Sequence, residues 1–311
     1  MSKAVQNMKE FPTSAIVHKS LRRAVLTRLQ DYWILTKPEV NLLVVMSTLA
    51  GYYLAWRGPL NLPLLLSALF GTLLVASGTG TLNQYMERNS DCSMRRTARR
   101  PLPAGRLHPA EALIFGILLS AGGGLLLWLE ANPLSSILAL LTLTTYLLIY
   151  TPLKKKTDLC TLIGAFPGAM PPLIGWAAAR GSLNAEALVL YAILFLWQFP
   201  HFLAIAWMYR EDYARAGLRM LPPEDPEGRL TSRQIIVFLG ALVLVSVLPA
   251  LMGQAGKVYL VGAVALGGYF LVHGARLARS RTNALARRLV LASVIYLPLI
   301  FSLMMFDKGS I

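Results

Sequence analysis

The sequence predicts an all-α polytopic membrane protein, a fold class that three observations support. Of 311 residues, 55% are hydrophobic and only 14% charged, where soluble domains carry nearer a quarter charged residues. The apolar residues gather into about nine runs, each long enough to cross roughly 30 Å of hydrocarbon as a helix. Those runs also sort the thirty Lys and Arg: with the amino terminus placed inside, 26 fall at inner ends and loops, and only Arg57, Arg180, Lys257 and Lys308 fall outside.

In chain order the runs lie near residues 33–57, 61–84, 109–129, 133–151, 159–178, 187–208, 234–253, 258–275 and 289–306. Ahead of them, residues 1–31 form a basic tail with Lys3, Lys9, Lys19, Arg22, Arg23 and Arg28. The tail has no apolar run or small-residue cleavage site, so no secretory signal peptide is expected. Residues 32–311 make up the nine-helix membrane domain. The first run has Lys37 at its inner end, and the second leads into six arginines between Arg88 and Arg106. The fourth stops at Lys154, Lys155 and Lys156, and the sixth leads into the basic segment that begins at Arg210. Pro167, Pro171 and Pro172 interrupt the fifth run, which is expected to be kinked or broken. Such breaks are tolerated where protein or a cavity satisfies the freed backbone groups.

The charge asymmetry obeys the positive-inside rule. It places the amino terminus in the cytoplasm and the carboxyl end outside; the lack of a clear presequence favours a bacterial inner membrane over a mitochondrial one as the expected location. It also removes nucleic acid as a partner, because the net charge of +15 sits in membrane loops. Cys92 and Cys160 offer neither a disulfide framework nor a metal-ligand spacing.

The first concentration of chemistry follows the second run, in NQYMERNSDCSMRRTARRPLPAGR. Asn83, Glu87 and Asp91 are spaced i, i+4, i+8. On a helix continuing past the membrane edge they share one face, drifting by about 80°. Two like charges at i, i+4 repel, and a divalent cation reverses that sign. Magnesium suits one or two carboxylates, several waters and substrate phosphate oxygens. Arg95, Arg96, Arg99 and Arg100 suit a diphosphate held by that ion, because guanidinium forks match phosphate oxygens. The same residues also fit an amphipathic helix end, with Asp91 paired to Arg88 or Arg95 and the other arginines anchoring topology.

This segment resembles the first aspartate-rich motif of the UbiA superfamily of intramembrane prenyltransferases, which reads N-D-x-x-D-x-x-x-D in many members. Gln84 and Glu87 depart from that form. The N-x-x-x-E-x-x-x-D form followed by M-x-R-T-x-x-R-P-L, here Met94, Arg96, Thr97, Arg100, Pro101 and Leu102, is similar to the superfamily's heme-farnesylating branch. Lys37, Pro38 and Val40 in LTKPEV match that branch's opening motif, with Glu39 where an arginine is common; no catalytic role is assigned to Glu39.

Other inner segments extend the resemblance. Tyr150 and Lys154 form Y-x-x-x-K, similar to the second signature beside the diphosphate; a triple-lysine stop at a helix end is the plainer reading. TLIGAFPGAMPPLIGW and W-Q-x-P-H-F resemble the same branch, as does D-Y-x-x-A-G-x-x-M-L-P from Asp212 to Pro222. Asp212 stands in the region of the second acidic motif, although the full D-x-x-x-D is absent, and Glu211 is its neighbour. His201 sits about 12 Å inside the sixth run at the helical rise. An ionisable group at that depth is a functional candidate, here for heme, although a hydrogen bond between helices also accounts for it. His108, His273 and the acidic patch Glu224, Asp225, Glu227 are read as structural. The second and sixth runs are parallel, four helices apart, and each ends in acidic residues, as in an internal duplication facing one central cavity.

The resemblance runs from Lys37 onward, with the last three runs carrying little of it. It implies transfer of a farnesyl group from farnesyl diphosphate to a vinyl group of heme b, giving heme O for a downstream heme A synthase. Magnesium would be held by Asn83, Glu87, Asp91 and Asp212. Arg96, Arg100, Tyr150 and Lys154 would bind the diphosphate, and His201 the heme. Two alternatives stand beside it. A prenyltransferase of an aromatic or quinone precursor shares the diphosphate chemistry, but W-Q-x-P-H-F and D-Y-x-x-A-G speak against it. A transporter would need polar groups through both leaflets, and the outer loops are short and nearly chargeless.

Overall fold

Every regular element among the described residues, 14–222 and 225–309 of the computed structural model, is helical. Lys3, Lys9 and Glu224 lie outside the described residues. In chain order the elements are α1 (Ser14–Leu35), α2 (Pro38–Ala55), α3 (Leu62–Cys92), α4 (Pro109–Ala131), α5 (Pro133–Leu153), α6 (Cys160–Arg180), α7 (Ala185–Met208), α8 (Arg210–Arg215), α9 (Arg229–Leu251), α10 (Lys257–Ser280) and α11 (Asn283–Phe306). Eight of them, α3 to α7 and α9 to α11, are long and apolar enough to cross a membrane. The shorter α2 carries Glu39 and Asn41 in its first turn and packs among them as the ninth helix.

Local chemistry sets the helix starts. Asn61, Asn132 and Asn184 each accept a first-turn backbone N–H with their side-chain oxygens, meeting donors that a helix leaves unpaired. Proline follows at the first turn of α3 and α5, where its missing N–H costs nothing. His108 caps α4 in a reciprocal pair with Glu111. Asp225 accepts from Leu230 and Thr231 at the start of α9. Burial pushes its carboxyl up, but these donors outweigh that and hold it below the usual carboxylate range. His108 and Asp225, both read from the sequence as structural, therefore serve helix ends.

The first run differs from its sequence reading. Residues 33–57 divide between two helices, with the break at Thr36 and Lys37. Pro38 disfavours a helical residue before it, and Lys37 takes a left-handed backbone with φ 54°. Helix α1 also runs through residue 31, so the boundary drawn there between tail and domain falls inside a helix. Arg106 pairs with Asp31 at 2.9 Å, and Arg28 pairs with Glu111, fastening α1 to the α3–α4 loop and to α4.

Neighbouring helices pack in sequence from α2 to α7, and α7 then meets α9 and α11; α10 lies against both, and α11 returns to α2. As the prolines predict, α6 breaks between Gly168 and Pro171. Its second half lies directly on α2, away from the basic loops. A Cβ at Gly51 would stand 2.0 Å from the Pro172 carbonyl oxygen, and one at Gly175 would stand 1.9 Å from that of Thr48. Glycine closes that end backbone to backbone. Asn83, Glu87, Asp91 and Lys154 lie toward the opposite, basic end.

Candidate active site

Helix α3 does continue past the apolar run, to Cys92. The continuation places Asn83, Glu87 and Asp91 on successive turns, as their spacing predicts. Asn83 is buried; its Oδ1 accepts from Lys37 Nζ at 2.7 Å and its Nδ2 donates to Thr151 Oγ1 at 3.2 Å. Glu87 Oε1 accepts from Lys154 Nζ at 2.7 Å. Asp91 is buried, and its Oδ2 accepts from Arg100 Nη1 at 2.8 Å. Its pairing is thus with Arg100, while Arg88 instead donates to the Tyr85 carbonyl. Gln84, one residue along from Asn83, faces elsewhere and donates to the Ile34 and Leu35 carbonyls at the end of α1.

Helix α5 brings the opposing cation. Pro152 has no N–H to return to the preceding turn, and residues Thr145–Tyr150 widen into a π-helical turn, a distortion frequent at functional sites. Thr151 Oγ1 donates to the Tyr146 carbonyl while accepting from Asn83. Tyr150 lies under Lys154, whose Nζ is 4.5 Å from the ring centroid. Burial works against the Lys154 charge, but Tyr150 and Glu87 outweigh it and hold its pKa above the ordinary lysine value. Lys37 has no such surplus of partners. Burial, with Arg100 and Lys154 nearby, lowers its pKa to about 7.

The loop after α3 carries the arginines. Thr97 Oγ1 donates to the Asp91 carbonyl at 2.9 Å, folding the loop back over the helix end. Arg96 lies over the Tyr209 and Tyr213 rings, its Cζ 4.5 and 4.7 Å from their centroids, and donates to the Tyr213 hydroxyl. It therefore ties this loop to α8, the helix that carries Asp212. Asp212 is buried but pairs with Arg215 of its own helix. The structure sets three bonded groups side by side along α3, Asn83 with Lys37 and Thr151, Glu87 with Lys154 over Tyr150, and Asp91 with Arg100, and Asp212 bonds to none of them. His201 faces α11: its Nδ1 lies 2.6 Å from Ser293 Oγ, and its ring stacks on Trp197. That is the hydrogen bond between helices which the sequence also allows, and it leaves Nε2 unengaged by Ser293.

Among the described residues no three His, Cys, Asp or Glu side chains form a protein-only metal cage. Magnesium needs no such cage when substrate phosphate and water complete its shell. Asp91 Oδ1 is buried without a hydrogen-bond partner, a state that costs free energy unless a ligand relieves it. With Asn83 and Glu87 along the same face, the donors are hard oxygens, so the set fits the ion.

Sequence reasoning passed over Lys37 as a site residue, together with Thr151 and the Tyr209–Tyr213 cradle. A lysine just before a first-turn proline, at the inner end of a span, was the available signal for Lys37. No sequence signal joins Arg96 to tyrosines 113 and 117 positions away.

Comparison with known proteins bears on both fold and chemistry. A family profile described as the UbiA prenyltransferase family matches residues 44–299. A protoheme IX farnesyltransferase from Solibacter usitatus (strain Ellin6076) is 52% identical over 289 residues, covering 90% of this chain and 99% of the relative. One from Koribacter versatilis (strain Ellin345) is 44% identical over 297 residues, covering 92% and 96%. Among solved structures, a digeranylgeranylglyceryl phosphate synthase superposes with a TM-score of 0.74 at 18% identity, covering 90% of this chain and 98% of that one. A UbiA homologue from Archaeoglobus fulgidus, solved with GPP and Mg2+ bound, gives 0.63 at 15% identity, covering 88% and 99%. At those identities the structural likeness speaks for the fold alone.

Proposed function

The chain belongs to the UbiA prenyltransferase family, and from that premise we propose that it transfers the farnesyl group of farnesyl diphosphate to a vinyl group of protoheme IX, forming heme O. The observation that carries the choice of acceptor is the 52% identity, across nine-tenths of the chain, to a protein named for that reaction. The site supplies the chemistry. Arg100, Lys154 and Lys37 stand around the α3 row, where they bind the diphosphate and stabilise the charge that grows on it as the C1–O bond breaks. Arg96, held over the Tyr209 and Tyr213 rings, and Tyr150, beneath Lys154, position the two sides of that cradle.

Magnesium, held by Asn83, Glu87 and Asp91, would supply further neutralisation of the diphosphate. Asp212, paired with Arg215 of its own helix, would be the fourth oxygen donor of that set. The apolar faces of the surrounding helices shield the allylic cation from bulk water. The terminal vinyl carbon attacks C1 of the cation; the benzylic-type cation left on the porphyrin side chain takes up water and loses a proton, giving the hydroxyethyl group. Diphosphate and heme O are the products. His201, braced by Ser293, is proposed to orient the heme through Nε2. The charge asymmetry supports a cytoplasmic amino terminus in a bacterial inner membrane and an opposite carboxyl end, with heme O passing to a heme A synthase.

Purified protein given heme b, farnesyl diphosphate and magnesium should yield heme O, detected by mass. Asp91→Asn should lower turnover roughly 100-fold or more while the protein still inserts and folds. Prenylation of another acceptor but not heme under these conditions would overturn the assignment, and full activity in Asp91→Asn would remove the metal role.

A further inference from the structure

Between α9 and α10 at the basic end lies a groove of about 450 Å³, lined by Arg229, Ser232, Arg233, Ile236, Val237 and Arg281 among others. It belongs to no part of the diphosphate site. Its charge has one sign, since three arginines and no carboxylate line it. Arg229 keeps an exposed partner in Glu227 at 2.8 Å. The side chains of Arg233 and Arg281 have no hydrogen-bond or ion-pair partner among the described residues.

The order of chemistry along the groove identifies its occupant. Arg229 and Arg233 are one turn apart on α9, and Val237 lies one turn further into the span. From Arg229 to Val237 the helix rises about 12 Å. Ile236 and the exposed Val237 thus form an apolar wall beneath the guanidinium groups, with small Ala278 opposite on α10. Positive charge at the membrane edge above an apolar wall matches the order of a glycerophospholipid, phosphate above acyl chain. Basic pockets between spanning helices on the positively charged side suit anionic head groups. Arg281 adds a second sign of use. Its backbone is left-handed, with φ 44°, a conformation that glycine would adopt without strain.

We propose that this groove seats the phosphate of an anionic diacyl phospholipid, with one acyl chain along Ile236 and Val237. The seat is connected to the rest of the basic end. Trp207 Nε1, from the end of α7, donates to the Arg281 carbonyl at 3.0 Å. The Trp207 ring carries the Arg210 guanidinium, which reaches Asn283 Oδ1 at 2.9 Å. An occupied groove therefore braces the α10–α11 turn against α7 and the start of α8.

The test uses the full chain purified in neutral detergent and needs no turnover, so it stands apart from the catalytic reading. Phosphatidylglycerol, phosphatidylcholine and inorganic phosphate are each titrated, reading lipid retention by native mass spectrometry and the thermal unfolding midpoint. Phosphatidylglycerol should be retained and should raise the midpoint; phosphatidylcholine should do neither. Arg233→Gln and Arg281→Gly should each weaken phosphatidylglycerol binding about fivefold. Glycine suits the left-handed position, so the Arg281→Gly midpoint without lipid should not fall. Equal stabilisation by phosphatidylcholine, or unchanged phosphatidylglycerol binding in the double variant, would overturn the proposal. Inorganic phosphate alone matching phosphatidylglycerol would assign a free-anion site and overturn the lipid.

Discussion

Asn83 and Gln84 are adjacent and equally buried, yet the 100° turn between them sends one to Lys37 and Thr151 and the other to the end of α1. That geometry accounts for the departure from the superfamily's usual aspartate at position 84. A carboxylate there would bring acceptors to carbonyls that need donors, whereas the Gln84 amide gives two N–H groups to Ile34 and Leu35. Replacing Gln84 with Leu keeps much of the volume and strands the Leu35 carbonyl, whereas that of Ile34 keeps the Lys37 N–H. The expected cost is about 1–3 kcal/mol of stability, seen as a lower unfolding midpoint, with kcat per folded molecule unchanged. A large loss of kcat at an unchanged midpoint would instead place Gln84 among the groups that act on substrate.

At the scale of elements, the backbone contact between α2 and the second half of α6 decides whether the bundle closes at the end away from the site. An added methyl at Gly175 would meet the Thr48 carbonyl oxygen at 1.9 Å, and neither backbone can yield as a flexible side chain would. Gly175→Ala should therefore destabilise the protein by about 1–3 kcal/mol or more, measured as thermal midpoint and yield in detergent. Gly240→Ala is the control, because its methyl would meet nothing within 4 Å and alanine favours a helix by up to about 1 kcal/mol. The spans themselves were legible in the sequence because hydropathy and flanking charge are local properties, and so was the broken α6, because proline acts locally. The split at Thr36 was harder to see, since the apolar run spans it and only the Lys37–Pro38 step marks it. The row of Asn83, Glu87 and Asp91 was legible from spacing. Arg100 and Lys154 were legible as cations of the site, but their direct pairing with Asp91 and Glu87 was not, and Lys37 reaches Asn83 by tertiary packing, as Arg96 reaches Tyr209 and Tyr213. Asp212 shows the converse limit: its motif marked it for the site, while the folded chain gives it a nearer cation in Arg215.

For the whole molecule, charge distribution and site position make one joint statement. The sequence assigns 26 of the thirty basic residues to the inner side, and from that set Lys37, Arg100 and Lys154 meet Asn83, Asp91 and Glu87 in the folded chain. If topology follows the positive-inside rule, the site opens to the compartment where a water-soluble diphosphate is supplied. The chain carries its own reporter for this. Cys92, at the end of α3, is exposed at the basic end, and Cys160 is buried. A membrane-impermeant maleimide should therefore label one cysteine in inside-out vesicles and none in intact right-side-out spheroplasts. Cys160 should react only after denaturation. Labelling of Cys92 in spheroplasts would invert the orientation and put the diphosphate cradle on the outer face. It would also show that the basic loops are held there by folding against the charge bias, because 26 cations on an outer face run against the rule by which loop charge sets topology.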